Sequence, residues 1–233
     1  MKLVRADGNI ELQKALANSY VHTIVDIFVR DKETLMLAAE LLKTHIKREQ
    51  PGLKEKLEAL QTYYRSLDAA GDIVIPSHIS ELIAAIEHLY EQNNEKIEVQ
   101  RGAIVELLGY NFISPRYGSN DSCSNSRRFY DEHNKPITIQ EVDVAALSPG
   151  RRQLEAYECK MKVGGLMHDD CVDLEYLVDA AEKCDYSANI GVISFDNDRI
   201  VERRLERLCV LKCIKGYGLE SIHSLQHSPF EKL

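Results

Sequence analysis

One acid-x-lysine triplet occurs in the 233 residues, Glu158-Cys159-Lys160, and fourteen residues separate it from Asp143. The triplet lies in a hydrophobic run. Read as a strand, residues 154–163 alternate: Tyr157, Cys159, Met161 and Val163 share one face, and Glu158, Lys160 and Lys162 share the other. Same-face neighbours on a strand stand roughly 6.5–7 Å apart. A carboxylate and an ammonium held at that spacing on a rigid sheet can serve one metal-bound water, the acid as ligand and the lysine as its electrostatic partner.

The elements that must position these groups change character along the chain. Residues 9–91 read as helices, with apolar positions recurring at three and four: Leu12, Leu16 and Tyr20, then Leu35, Ala39 and Leu42, then Leu57, Leu60 and Tyr64. Breaks are expected at Pro51-Gly52, around Gly71 and at Pro76-Ser77. The polar stretch Gln92-Asn93-Asn94-Glu95 marks a domain boundary, dividing a helical domain at 1–94 from a second domain at 95–233. In the second domain a helix over 96–108 is expected to end at Gly109 and to give way to a first strand over 110–113. Residues 114–126 are polar enough to read as a loop. A hairpin follows, 138–147 and 154–163, joined by Ser148-Pro149-Gly150-Arg151-Arg152, with a further strand over 127–131. A helix over 170–184 precedes the run Ile190-Gly191-Val192-Ile193-Ser194-Phe195, which is apolar on both faces and reads as a buried parallel strand. A helix over 197–212 and a short strand over 222–225 complete an α/β sandwich with a mixed sheet.

Composition sets outer limits. With 44% hydrophobic and 28% charged residues the chain is of ordinary globular type. No apolar run approaches the roughly 18–20 residues that cross a bilayer, and the opening residues lack a signal peptide's apolar segment, so a cytoplasmic location is expected. Six cysteines without CxxC spacing suit reduced, buried thiols. A formal charge of −8 argues against a protein that coats nucleic acid nonspecifically. Local clusters remain available for phosphates: Arg127-Arg128, Arg151-Arg152, and Arg203-Arg204 with Arg207. The alternative for each is a solvated hairpin end or helix face. Cys209-x3-Cys213 and His223-x3-His227 have a zinc-like look, but nine residues separate the pairs and Cys209 falls in an expected helix, which favours buried thiols and surface histidines.

Taken together, the element order, Asp143, the triplet and the helix leading to Gly109-Tyr110 resemble the PD-(D/E)xK nuclease superfamily. Glu141-Val142-Asp143-Val144-Ala145 followed by Tyr157-Glu158-Cys159-Lys160 looks most like the Holliday-junction resolvase and Mrr-like branches. The resemblance covers residues 96–225. It implies a restriction-endonuclease-like mixed β-sheet flanked by helices, preceded by an all-helical N-terminal domain. It further implies that Asp143, Glu158 and the backbone carbonyl of Cys159 bind Mg²⁺ or Mn²⁺, and that Lys160 orients and helps deprotonate the attacking water. Glu98 matches the acid of the family's first helix, with Glu106 as the alternative, and Glu141 shares a face with Asp143. Lys162 is expected to contact phosphate. The implied activity is hydrolysis of phosphodiester bonds in DNA, with RNA also open, by a protein acting as a homodimer. A different class stays open beside it: a binding or adaptor protein on the same fold, in which the acids and Lys160 form only a cross-strand salt bridge.

Overall fold

The structure, a computed structural model, describes residues 1–5, 9–67, 77–211, 213–227 and 231–232. The helix breaks expected around Gly71 and Pro76 lie outside them. The chain forms two compact units, Ile10–Ile104 and Met1–Asn9 with Val105–Leu233. Their division falls inside a helix rather than in the polar stretch at 92–95, because Asn93 caps that helix by accepting the Lys96 N–H and so starts it instead of ending a domain.

The helical unit contains α1 (Ile10–Leu16), α2 (Ser19–Arg30), α3 (Lys32–Thr44), α4 (Leu53–Leu67), α5 (Ser77–Tyr90) and the start of α6 (Asn94–Ile113). Asn18 caps α2 and Asp31 caps α3, each taking backbone N–H groups that a helix start leaves unpaired. Of the apolar positions read from the sequence, Leu35, Ala39, Leu42, Leu57 and Leu60 are buried, and Val21, Ile24, Phe28, Leu82 and Ile86 join them in the core; Leu12, Leu16 and Tyr64 are only half-buried and Tyr20 is exposed, so the first stripe does not enter the core.

The second unit is built on one mixed sheet ordered β1-β2-β3-β4-β5-β6, with β7 also paired to β5. The strands are β1 (Lys2–Arg5), β2 (Ser122–Tyr130), β3 (Val142–Ser148), β4 (Gln153–Lys160), β5 (Ser187–Ser194), β6 (Lys215–Tyr217) and β7 (Glu231–Lys232). Neighbours from β1 to β4 run antiparallel; β3 and β4 are joined by a tight hairpin turn, whereas β1 reaches β2 from the start of the chain. The β4-to-β5 connection passes through α7 (His168–Lys183), and that crossover makes β4 and β5 parallel. The expected buried parallel strand is therefore present: β5 is buried from Ala188 to Ser194. On one face, Ala145, Leu147, Leu154, Ala156, Ile190 and Val192 form a core with Leu174, Leu177 and Val178 of α7 and Val201 and Leu205 of α8 (Asp198–Leu208). The C-terminal half of α6 lies on the other.

Three local expectations are corrected. Residues 110–113 are the last turn of α6, not a strand, and Gly109 does not end the helix. A Cβ there would stand 2.7 Å from Ile193 Cδ1 and 3.6 Å from Cys159 Sγ, so this glycine serves the close approach of α6 to the sheet. Part of the polar segment at 114–126 is β2, whose neighbour on the other side, β1, comes from the chain's first residues. Residues 222–225 lie in a 3-10 helix, Ile222–His227, and the edge strand is β6.

Gly191 marks where the sheet is least tolerant. A Cβ on it would fall 2.3 Å from the Lys215 carbonyl oxygen on β6, a backbone atom that cannot rotate away. Gly191→Ala is therefore expected to lose roughly 2–4 kcal/mol of stability in urea unfolding. An unchanged midpoint would mean that the β5–β6 pairing is not as tight as described.

Candidate active site

The sheet places the sequence-selected acids at one end. Val144 pairs with Tyr157 and Ala145 with Ala156; continued by one step, this register sets Asp143 opposite Glu158 on the same face. The ladder itself stops at Val144. There the Asp143 carboxylate takes over, its Oδ2 accepting the Cys159 N–H at 2.7 Å. Lys160, two residues beyond Glu158, turns its Nζ back to Glu158 Oε2 at 3.0 Å. The same amine stands 3.7 Å from Asp143 Oδ2 and 3.7 Å from Asp170 Oδ1, at the first turn of α7. Two strands and a helix thus bring three carboxylates to one ammonium at the C-terminal ends of the parallel strands, where open α/β sheets hold their ligands.

A fourth acid lies beside them. Glu106, buried on α6, interacts electrostatically with Asp143, Lys160 and Glu141, and its Oε2 is buried with no hydrogen-bond partner among the described residues. Burial, with Asp143 adding to it, pushes the Glu106 carboxyl up to about 9. Burial likewise raises Glu158 well above the usual carboxylate range, Asp143 adding to the rise and Lys160 opposing it. For Lys160, burial disfavours the charge, yet Asp143, Glu158 and Asp170 outweigh it and hold the ammonium above its ordinary value. Three carboxyl groups thus share one amine, and the Glu106 carboxyl, which burial keeps protonated, acts on the same groups from α6.

Other buried carboxylates fix the backbone around this cluster. Asp173 on α7 accepts the N–H groups of Ile139 and Gln140 at 2.8 and 2.7 Å, anchoring the approach to β3. Asp196, just past β5, accepts the Val163 N–H at 2.8 Å and holds the chain leaving β4. Sequence reasoning gave Asp170 only a helix-dipole role and did not single out Asp173 or Asp196. The one available signal was their position at the edges of elements that flank the triplet. It also passed over Glu155, fully buried on the opposite face of β4. This carboxylate receives Arg116 at 2.7 Å, Tyr117 at 2.8 Å and Tyr157 at 2.6 Å, while Arg116 also donates to the Leu225 carbonyl.

The remaining sequence-selected residues scatter. Glu98 is exposed on the part of α6 that belongs to the helical unit, and its charge acts on Arg101. Glu141 is half-buried immediately before β3. Arg127 pairs with Val142, next to Asp143, and Arg128 follows it on β2. Arg151 and Arg152 sit in the β3–β4 turn, about 17 Å of strand away from Asp143. There Arg151 donates to Asp121, to the Arg116 carbonyl and to Ser148, and Arg152 pairs with Asp185. Lys162 is exposed just beyond β4. Cys209 ends α8, and its thiol is hydrogen-bonded with that of Cys171. Among the described residues, no three His, Cys, Asp or Glu side chains stand together as a ready-made metal cage.

No protein-family model matches this chain, and no curated protein sequence matches it. Among solved structures, the crystal structure of protein VC1899 from Vibrio cholerae is similar, with a TM-score of 0.46 at 17% identity. The match covers 97% of this chain and 57% of that one, so this chain spans little more than half of that protein's length. Among the described residues, no helix is long and apolar enough to cross a membrane.

Glu106 gives the site a pH signature. Its carboxyl keeps a proton to about pH 9 in the fold but has an ordinary value of 4.5. Between those limits the folded state binds more protons than the unfolded state, so the group's contribution is full below pH 4.5 and is lost as pH rises towards 9. Glu106→Gln should therefore unfold at higher urea than wild type, by at least about 1 kcal/mol at pH 8 and by little at pH 5. A difference independent of pH would mean that ionisation at this position carries no cost.

Proposed function

We propose that the chain is a Mg²⁺- or Mn²⁺-dependent nuclease of PD-(D/E)xK type that hydrolyses phosphodiester bonds in DNA. The observation that carries this reading is the convergence of Asp143, Glu158 and Asp170 on the Lys160 amine beside the unpartnered buried oxygen of Glu106. A buried carboxylate oxygen with no donor is costly unless a proton or a cation completes it. The donor set is all hard oxygen, which suits Mg²⁺ or Mn²⁺ and not zinc. Asp143, Glu158, the Cys159 carbonyl and Glu106 would hold the ion, with Glu106 in the helix-acid role that the resemblance gave first to Glu98. When bound, the ion supplies Lewis-acid polarisation of the phosphate and lowers the pKa of its water.

The protein's own groups do the rest. Lys160, kept protonated by its acidic neighbours, donates hydrogen bonds and offsets negative charge as it grows on the phosphoryl oxygens. An ammonium held above its usual range is a poor base, so Lys160 orients the water and stabilises charge rather than removing the proton. Arg127 and Arg128 lie at the acidic end of the sheet and are the arginines that would meet the backbone phosphates; Lys162, exposed past β4, would meet a third. A homodimer would present two such sites to the two strands of a duplex.

The alternative is a binding or adaptor protein on this fold, in which Asp143, Glu158, Asp170 and Lys160 form an ion-pair cluster and nothing more.

Two experiments decide. Asp143→Asn keeps an acceptor for the Cys159 N–H, and Lys160→Met keeps the bulk of the side chain. Each is expected to lower Mg²⁺-dependent cleavage of DNA by about 10²-fold or more while the protein stays folded. Undiminished cleavage in either variant would refute the assignment, and calorimetry showing no heat with millimolar Mn²⁺ would support the adaptor instead. Parallel RNA substrates decide between the two nucleic acids. For binding, the pair Arg127→Ala/Arg128→Ala should weaken DNA affinity and lower its salt dependence by up to about two charges, whereas Arg151→Ala/Arg152→Ala should leave both near wild type. The reverse pattern would move the DNA path to the hairpin end of the sheet.

A further inference from the structure

We infer that Asp170 is the positioning residue for Lys160, a role that rests on the nuclease reading of the site. Of the three carboxylates around the amine, two belong to the sheet: Glu158 on the lysine's own strand and Asp143 across from it. Asp170 comes from α7 and approaches from outside the sheet. Glu158 alone accepts a hydrogen bond from the amine, at 3.0 Å, while Asp143 and Asp170 each act on it as a charge at 3.7 Å. Pulled only by Glu158 and Asp143, the long lysine chain would fold down onto the strands. The third acid holds the amine off them, towards the first turn of α7.

Asp170 is itself held in place. Its Oδ2 accepts the Met167 N–H at 2.7 Å, which locks the side chain and leaves Oδ1 directed at Lys160. The carboxylate is mostly buried, and the start of α7 favours its negative charge. The proposed reading adds a reason for a third acid. If Asp143 and Glu158 are engaged with a divalent ion, their charge is no longer available to the amine, and Asp170 is the carboxylate of the three that still fixes it. The capping-box contact alone would not need the charge: a neutral side-chain amide at this third helical position can accept the Met167 N–H as well.

The test is Asp170→Asn in the full chain, since asparagine keeps an acceptor for Met167 while removing the charge that Lys160 faces. Cleavage by this variant should show kcat lowered about tenfold or more, with KM for DNA and half-saturation by Mn²⁺ within about threefold of wild type. Asp170→Glu should recover part of the loss. Unchanged kcat would overturn the inference while leaving the nuclease reading intact, and loss of Mn²⁺ affinity would show a ligand rather than a positioning residue. A readout independent of activity is the crystal structure of Asp170→Asn without metal. There the Lys160 amine is expected to drop onto Asp143 and Glu158; an amine still in its wild-type place overturns the inference whether or not the protein cuts DNA.

Discussion

A single ammonium among crowded carboxylates is the constraint on which the sheet unit's acidic end depends. Asp143, Glu158 and Asp170 arrive from β3, β4 and α7, and each would repel the others without Lys160 between them. Glu158 is almost wholly buried, an environment in which an unpaired charge is disfavoured. The amine therefore both permits the acids to be close and leaves them under-neutralised. The cluster differs in this from a surface salt bridge, whose charges stay solvated and gain little from pairing.

The geometry follows from how the strands end. β3 and β4 remain a regular ladder from Ser148–Gln153 to Val144–Tyr157, and the next rung is replaced by the Asp143 side chain on the Cys159 N–H. A carboxylate doing a backbone carbonyl's work keeps the strand end from fraying. Asp173 and Asp196 repeat the device on either side, each taking backbone N–H groups where a strand begins or a connection leaves. At the hairpin end of the same strands, the buried Glu155 is satisfied by an arginine and two tyrosines. The two ends of the sheet differ in this respect. One has a fully partnered acid; at the other, Glu106 Oε2 has no hydrogen-bond partner among the described residues.

Much of the frame was legible in the residues. Alternation identified β4 and the opposed faces of Glu158 and Cys159, the doubly apolar run identified β5 as parallel, and three-and-four spacing identified the helical unit, because burial imposes those periods on any chain. Local signals misled where a neighbour overrode them. Gly109 has the look of a helix end, but the helix continues through it since the contact with Ile193 and Cys159 needs a residue with no side chain. The polar residues of β2 suit a loop by composition, but they pair with β3 and with β1, from more than a hundred residues away.

The sequence by itself determined the chemical vocabulary of the site and the strand that carries most of it: an acid and a lysine on one face, with Asp143 one hairpin away. Only the tertiary structure decided which further acids join them. Glu106 and Asp170 stand near Lys160, whereas Glu98, its equal in type and on the same helix as Glu106, is exposed in the other unit. It likewise separated Arg127 and Arg128 from Arg151 and Arg152 by most of a strand's length. The reason is physical: period and composition fix which way a side chain faces within its own element, but proximity between elements depends on register and crossover, which are set by long-range packing that no local pattern encodes.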